Sequence, residues 1–244
     1  MISFVEGEAL EKRFFALCSG TAFGCKLEAI ARGYGFQRPF ARFWVGERAA
    51  YCLLDGVLGA AGEAEEEEAR AFIQTLAPLE LFCPEGFAGQ IGLKHGRTGP
   101  VLARQGKTAA NSSWETPVPR WQELKEMHRV LGLAGMEGDF EAFYLDISHR
   151  LRHRVAYGVA RYRQGRLAGC GLVPAVTNGE ALLSALAVEP EFQGQGLGRE
   201  IVKEICGTMG SRTVYVLRED GENVGFYEGL GFQSQGRWVS GAPE

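Results

Sequence analysis

In the second half of the chain, apolar positions recur with two periods. Residues 120–133 place Trp121, Leu124, Met127, Val130 and Leu131 on one helical stripe, and residues 140–151 do the same with Phe140, Phe143, Tyr144, Ile147 and Leu151. Two amphipathic helices are expected there. Residues 155–162, 167–176 and 181–188 are apolar runs joined by Gln164-Gly165 and Asn178-Gly179, dipeptides that hairpin turns favour, so they predict a three-stranded antiparallel meander. A helix at 197–209 follows, with Leu197, Ile201, Ile205 and Met209 four apart, then a strand at 213–217, a helix at 224–230 and a last strand at 232–239.

The first half reads as a helix at 21–34, strands at 39–45 and 49–58 around Gly46-Glu47, an acidic-faced helix at 64–76, and strands at 79–83 and 100–104. Between the halves, residues 105–119 are polar, carry Asn-Ser-Ser and two prolines, and lack an apolar period, which marks a connection. The expected organisation is a smaller α/β domain at 1–110 and a second α/β domain at 117–244.

Composition narrows the function classes. With 244 residues, 45% hydrophobic and 23% charged, the chain can bury a sizeable core. A net charge of −4 argues against a protein that grips a nucleic-acid backbone, which needs a concentrated excess of Lys and Arg. Arginines 150, 152, 154, 161, 163 and 166 make the middle locally basic, a stretch that offsets the acidic first half or attracts an acidic acceptor. The six cysteines form no CxxC pair and most lie in apolar stretches, as reduced core thiols do. No apolar run approaches the roughly 20 residues of a membrane span, and the first residues are acidic where a signal peptide would be basic, so a cytoplasmic protein without a membrane partner is expected. His149 and His153 have the spacing of a metal pair, but the intervening Arg-Leu-Arg lacks the glutamate of a zinc protease motif; a solvated helix face and no metal are expected.

The chemistry concentrates at 180–200, where an apolar strand is stopped by Pro190 and followed by a glycine-rich loop and a helix. Glycines at 194, 196 and 198 let a ligand approach the backbone, while the first N–H groups of the helix and its positive dipole end favour a pyrophosphate. A dinucleotide-binding motif would need glycine where Arg199 stands, and the Gly-Lys-Ser/Thr of a P-loop is absent. Both motifs also open parallel βαβ units, whereas this strand ends a predicted antiparallel meander.

Gln193-Gly194-Gln195-Gly196-Leu197-Gly198 resembles the acyl-CoA pyrophosphate signature (Arg/Gln)-x-x-Gly-x-(Gly/Ala) of the GNAT superfamily, and Leu186-Ala187-Val188-Glu189-Pro190 is similar to the strand end that precedes it. Downstream, Asn223-Val224-Gly225-Phe226-Tyr227-Glu228-Gly229-Leu230-Gly231-Phe232 resembles the family's closing Phe-Tyr and Leu-Gly-Phe motif. The resemblance covers about residues 120–239. It implies a GNAT fold, a mixed and mostly antiparallel sheet with a V-shaped splay flanked by helices, preceded here by the smaller α/β domain. It also implies acetyl-CoA (CoA) as cofactor and transfer of an acetyl or short acyl group to an amine by direct attack through a tetrahedral intermediate.

By that resemblance, the pantetheine arm lies between the strand ending at Val188 and strand 213–217. Leu186, Ala187 and Val188 would offer main-chain contacts, Gln193, Gly194, Gln195, Gly196, Leu197 and Gly198 would hold the pyrophosphate, and Arg199, Asn223 and Phe226 would complete the cofactor contacts. A strand N–H, that of Ala187 or Val188, would stabilise the oxyanion. An amine of pKa about 10.4 needs a proton acceptor at neutral pH, and a thiolate of pKa about 8.5 leaves better with an acid nearby. Tyr227 matches the family's acid. For the base, Glu180, at the start of the splayed strand, and a water relay both stay open. The acceptor is an amine-bearing small molecule, peptide or protein. Rival readings are a non-catalytic acyl-CoA-binding sensor or interaction module, and a tandem aminoacyl transferase using charged tRNA, against which the acidic balance counts.

Residues 42–105 coarsely repeat the element order of the second half. Where a glycine loop should fall, Leu58-Gly59-Ala60-Ala61-Gly62-Glu63-Ala64 runs into Glu65 to Glu68, and carboxylates at a helix start repel a pyrophosphate. The first domain is thus expected to be a degenerate GNAT-like unit without a cofactor site.

Overall fold

A computed structural model describes the chain except residues 94–95, 107–120, 137 and 244. Most of the connection expected at 105–119, and the Trp121 side chain, lie outside the described residues. In chain order the elements are β1 (Ser3–Phe4), α1 (Glu8–Cys18), α2 (Ala22–Tyr34), β2 (Ala41–Val45), β3 (Ala49–Leu54), β4 (Val57–Gly62), α3 (Glu66–Leu76), β5 (Glu80–Pro84), α4 (Glu85–Ile91) and β6 (Arg97–Arg104). There follow α5 (Trp121–Gly132), α6 (Phe140–Arg152), β7 (Tyr157–Arg163), β8 (Arg166–Val173), β9 (Ala175–Val176), β10 (Glu180–Leu183), β11 (Ala185–Val188), α7 (Leu197–Met209), β12 (Thr213–Leu217) and β13 (Gln233–Gly241). Two compact units emerge: Met1–Ala103 with Val216–Glu244, and Arg104–Tyr215. The last 29 residues, expected with the second domain, therefore cluster with the first.

In the first unit the strand order is β1-β2-β3-β4-β5-β13-β6. β1 to β4 are antiparallel neighbours, β4 and β5 are parallel across the α3 crossover, and β13 is antiparallel to both β5 and β6. One face of this sheet buries Tyr51, Leu58, Ile73, Leu81, Phe87 and Val239 together, and Phe14 of α1 meets Phe36 and Phe43 edge-on at 5.4 Å. The strand expected at 49–58 is a hairpin, β3 and β4, turning on Asp55-Gly56. Both turn residues have positive φ, 51° and 79°, as a two-residue hairpin turn of this kind requires.

In the second unit β7, β8 and β11 form an antiparallel sheet in the order β11-β8-β7, while β9, β10 and β12 are consecutive neighbours in another. On one sheet face, Leu124, Met127 and Leu131 of α5 and Ile147 and Leu151 of α6 share a core with Cys170, Leu172, Ala185 and Ala187. α7 covers the opposite face. Glycine is what lets it in: a Cβ on Gly171 would lie 2.7 Å from Ile201 Cγ2 and 2.9 Å from Ile205 Cδ1. The expected strand 181–188 is divided at the exposed Ser184 into β10 and β11, which join different sheets. The mixed, mostly antiparallel α/β class with its splay is the one expected.

A third expected element also differs. Residues 224–230 form turns ending in a 3-10 helix, Glu228–Leu230, rather than an α-helix. Asn223 at φ 46° and Gly225 at φ 80° take the left-handed region, which interrupts an α-helical ladder.

Candidate functional site

The glycine loop is assembled by local rules. β11 ends at Val188, and the Glu189 N–H donates to the Ala168 carbonyl at 2.9 Å, which pins the strand end. Pro190–Phe192 make one 3-10 turn, and the chain then passes Gly194 at φ 74° to Gly196 at φ 83° and ψ −1°, the N-cap of α7. A Cβ at either glycine would meet nothing within 4 Å, so the backbone angle demands glycine and the space beside it is open. An α-helix leaves its first N–H groups without partners inside the helix, and the N-cap of α7 is Gly196, which has no side chain to cap them.

The amide side chains of the loop fold back on it. Gln193 Nε2 donates to the Val188 carbonyl and Gln195 Nε2 to that of Glu191, each at 3.0 Å. Leu197 is buried and anchors the first turn, Gly198 is half-buried, and Arg199 is exposed. This donor set, backbone amides beside open space at the positive end of a 13-residue helix, fits a diphosphate. A separate cavity of about 150 Å³, lined by Arg104, Lys203, Cys206, Gly207, Gly210 and Val214, reaches the carbonyl end of α7, where the helix dipole disfavours an anion.

β11 supplies the splay. Ala185 and Ala187 point into the α5 core, whereas Leu186 and Val188 are half-buried. Its antiparallel partner is β8, with Leu186 opposite Gly171 and Val188 opposite Gly169, and it forms the edge of its three-stranded sheet. An edge presents a row of backbone donors and acceptors to an extended amide-bearing ligand. β10, the preceding segment of the same run, instead neighbours β12.

Glu180 opens β10 and is buried, which a turn carboxylate facing solvent would not be. Thr177 Oγ1 donates to Glu180 Oε2 at 2.6 Å and accepts the Glu180 N–H at 3.0 Å. Arg212 Nε donates to the Thr177 carbonyl at 2.7 Å and steadies the turn. Six residues separate Glu180 from Ala187, a span of up to about 20 Å if extended, interrupted at Ser184 where β10 gives way to β11. A threonine three residues before a strand-initial carboxylate was a sequence signal for this closed pair. His149 and His153 stack at the end of α6 with ring centroids 4.2 Å apart, and burial comes first among the causes that lower the His153 pKa. Among the described residues, no group of three His, Cys, Asp or Glu is placed to hold a metal, and no helix is long and apolar enough to cross a membrane.

Tyr227 and its motif lie in the first unit. The ring is 8% exposed and meets Phe226 at 5.0 Å and Phe232 at 5.6 Å, both edge-on. Burial pushes its hydroxyl up to about 12. Asn223 is exposed and its carbonyl accepts the Phe226 N–H at 3.1 Å; Phe226 is half-buried. Arg218 brackets the tyrosine turn, donating to the Glu222 carbonyl at 2.8 Å and approaching the Glu228 carboxylate at 3.6 Å.

The first unit also holds the acidic counterpart of the glycine loop, between β4 and α3. There the Ala64 N–H donates to Gln90 Oε1 at 2.8 Å, so a side chain from α4 takes an amide that an anion would need. Glu63 and Glu65 both bind Arg48, at 2.7 and 3.2 Å. β4 and β5 pair only from Val57 to Gly59. Gln90 carried no motif and could not be singled out from sequence.

With this geometry, comparison with known proteins defines the class. Residues 153–234 match the family model described as "Acetyltransferase (GNAT) domain", a family whose general chemistry is acyl transfer. The chain resembles a GCN5-related N-acetyltransferase from Kribbella flavida, at 15% identity and a TM-score of 0.64 over 91% of this chain and 94% of that one. It likewise resembles a tandem GNAT protein from the clavulanic acid biosynthesis pathway, at 15% identity and a TM-score of 0.58 over 98% of this chain and 97% of that one. At these identities the likeness is one of fold, and it runs nearly the whole chain, as in a tandem GNAT-like arrangement. A curated relative, histone acetyltransferase TAP1 from Glycine max, is 29% identical over 90 residues, 36% of this chain. The match spans 39% of that relative's length.

Proposed function

We propose that the protein transfers an acetyl or similar short acyl group from acetyl-CoA to an amine. The observation that carries this reading is the loop through Gly194 and Gly196, with open space beside both glycines, opening α7 directly after the splayed edge strand β11. Acetyl-CoA supplies an acyl thioester already activated toward amines. The loop amides from Gln193 to Gly198, aided by Arg199, bind the diphosphate, and backbone groups of Leu186, Ala187 and Val188 align the pantetheine arm. The Ala187 or Val188 N–H stabilises negative charge as it builds on the acyl oxygen. Asn223 and Phe226 are assigned cofactor contacts on motif position alone.

Tyr227 is assigned the thiol side of the reaction on the same basis. A hydroxyl held at about 12 keeps its proton at neutral pH. Against a thiolate of pKa about 8.5 it acts chiefly as a hydrogen-bond donor that stabilises the leaving group. On the amine side, a proton released near Ala187 reaches Glu180 only through intervening water or polar groups, because a base must otherwise stand within hydrogen-bond reach. The acceptor is an amine of a small molecule, peptide or protein.

The test is thiol release from acetyl-CoA across a panel of amines, with Tyr227→Phe and Glu180→Gln beside the wild type. Turnover with at least one amine, lowered about 10²-fold in Tyr227→Phe, is the expected result. Unchanged turnover in Tyr227→Phe removes that assignment. Tight CoA binding with no turnover on any amine would replace the transferase with an acyl-CoA-binding module.

A further inference from the structure

Between β11 and the glycine loop stands a carboxylate that the loop's chemistry does not want. Glu189 lies four residues before Gln193, and its side chain is 8% exposed, so water weakens its charge only in part. Its main chain is fixed in place: its N–H is bound to Ala168, and the next residue, Pro190, starts the 3-10 turn that leads into the loop. A buried negative charge so placed opposes any diphosphate held by the amides that follow.

The charge is met by Arg129, from the last turn of α5. Its Nη2 lies 2.6 Å from Glu189 Oε1, and its Nε lies 3.1 Å from Glu126 Oε2 on the same helix. α5 is held against β8 and β11 through Met127, Leu131 and the small residues Ala185 and Ala187, which brings the guanidinium to the strand end. The other carboxylates around the loop are exposed and carry their own arginines, Glu191 with Arg166 at 2.9 Å and Glu200 with Arg163 at 3.4 Å. Glu189 is the buried one.

We propose that Arg129 is a positioning residue that neutralises Glu189 and so permits the neighbouring amides to hold the diphosphate of CoA. The proposal rests on the acyl-CoA reading. Arg129 touches no cofactor in it; it acts through Glu189, by cancelling charge and by tying α5 to the end of β11.

Calorimetric titration of the full chain with CoA tests it, on the wild type, Arg129→Gln, Arg129→Lys and the double variant Arg129→Gln/Glu189→Gln, in 50 mM and 500 mM salt with melting temperatures recorded. Arg129→Gln is expected to weaken CoA by about tenfold at low salt, less at high salt, because an uncompensated charge acts on a diphosphate partly through solvent. The double variant and Arg129→Lys are expected to recover most of the affinity. CoA affinity unchanged in Arg129→Gln overturns the proposal, and so does a double variant as weak as the single one, which would make the loss structural. A wild type that binds no CoA fails the acyl-CoA reading itself and takes this proposal with it, an outcome distinct from a binding wild type with an indifferent variant.

Discussion

Burial shapes the acid–base character of single side chains in both units. Cys83 and Cys170 are fully buried thiols pushed up to about 12, and Tyr227 is pushed up to about 12 in the same way; burial raises Tyr51 still further, with Glu68 and Glu65 adding to it. In the unfolded chain the thiols lose their protons near 9 and the phenols near 10. Between those values and about 12 the folded state binds more protons than the unfolded one. The stability these groups contribute is therefore complete below pH 9 and falls as pH rises toward 12, by up to about 1.4 kcal/mol per pH unit for each group. Urea unfolding should show a clearly lower midpoint at pH 10.5 than at pH 8. Equal midpoints would mean that burial does not raise the pKa values of these groups in the native state.

For elements, the decisive contact is α7 on β8. Gly169 and Gly171 strip the strand of side chains so that Ile201 and Ile205 can approach, and the same helix carries the glycine loop at its N-terminus. Gly171→Ala must displace α7 or force those isoleucines from their rotamers, at an expected cost of about 1–3 kcal/mol. Because the displaced helix carries the loop, CoA affinity should fall with stability. Gly179→Ala, where a Cβ meets nothing within 4 Å, serves as the control and should stay within about 0.5 kcal/mol of wild type. A thermal melt of Gly171→Ala matching that of the control would show the strand and helix to be more forgiving than their spacing implies. The stripes on α5, α6 and α7 were legible because each repeats within about ten residues. The Asp55-Gly56 turn is equally local, but the apolar run around it reads as one strand. The break at Ser184 was not legible, because residues 181–183 and 185–188 on either side are apolar and only the choice of neighbour divides them.

On the scale of the whole molecule, the C-terminal strand completes the sheet of the first unit. β13 lies between β5 and β6, with Trp238 opposite both Pro84 and Gly99, and 140 residues of sequence separate Thr98 Oγ1 from the Trp238 carbonyl it binds at 2.7 Å. A chain ending at Gly231 leaves two strands with unpaired edges in the middle of that sheet, so it should lose cooperative unfolding and aggregate. Near-ultraviolet circular dichroism and a melting curve check this; a native-like spectrum and a sharp transition without β13 would refute it. The same unit bears on cofactor number. With Gln90 on the Ala64 amide and Glu63 and Glu65 beside it, one CoA per chain is expected in calorimetry, and two would overturn the account of the first unit as degenerate.

The run 193–198 could be read by itself as a loop opening a helix, because a loop that must turn through positive φ and start a helix needs particular residues at adjacent positions, whereas 223–232 stood out only through its resemblance to a family motif. Helical stripes and strand runs are similarly local, and so the α/β class could be anticipated from the linear chain, while the splay was implied only by the family resemblance. The placement of β13, the burial of Glu180 against Thr177, the plug at Gln90 and the pairing of Arg129 with Glu189 belong to tertiary structure. Each joins groups through space whose separate sequence contexts resemble an ordinary strand, turn or helix surface, and only packing, which chooses a partner from a distant part of the chain, decides which charge is buried and what meets it.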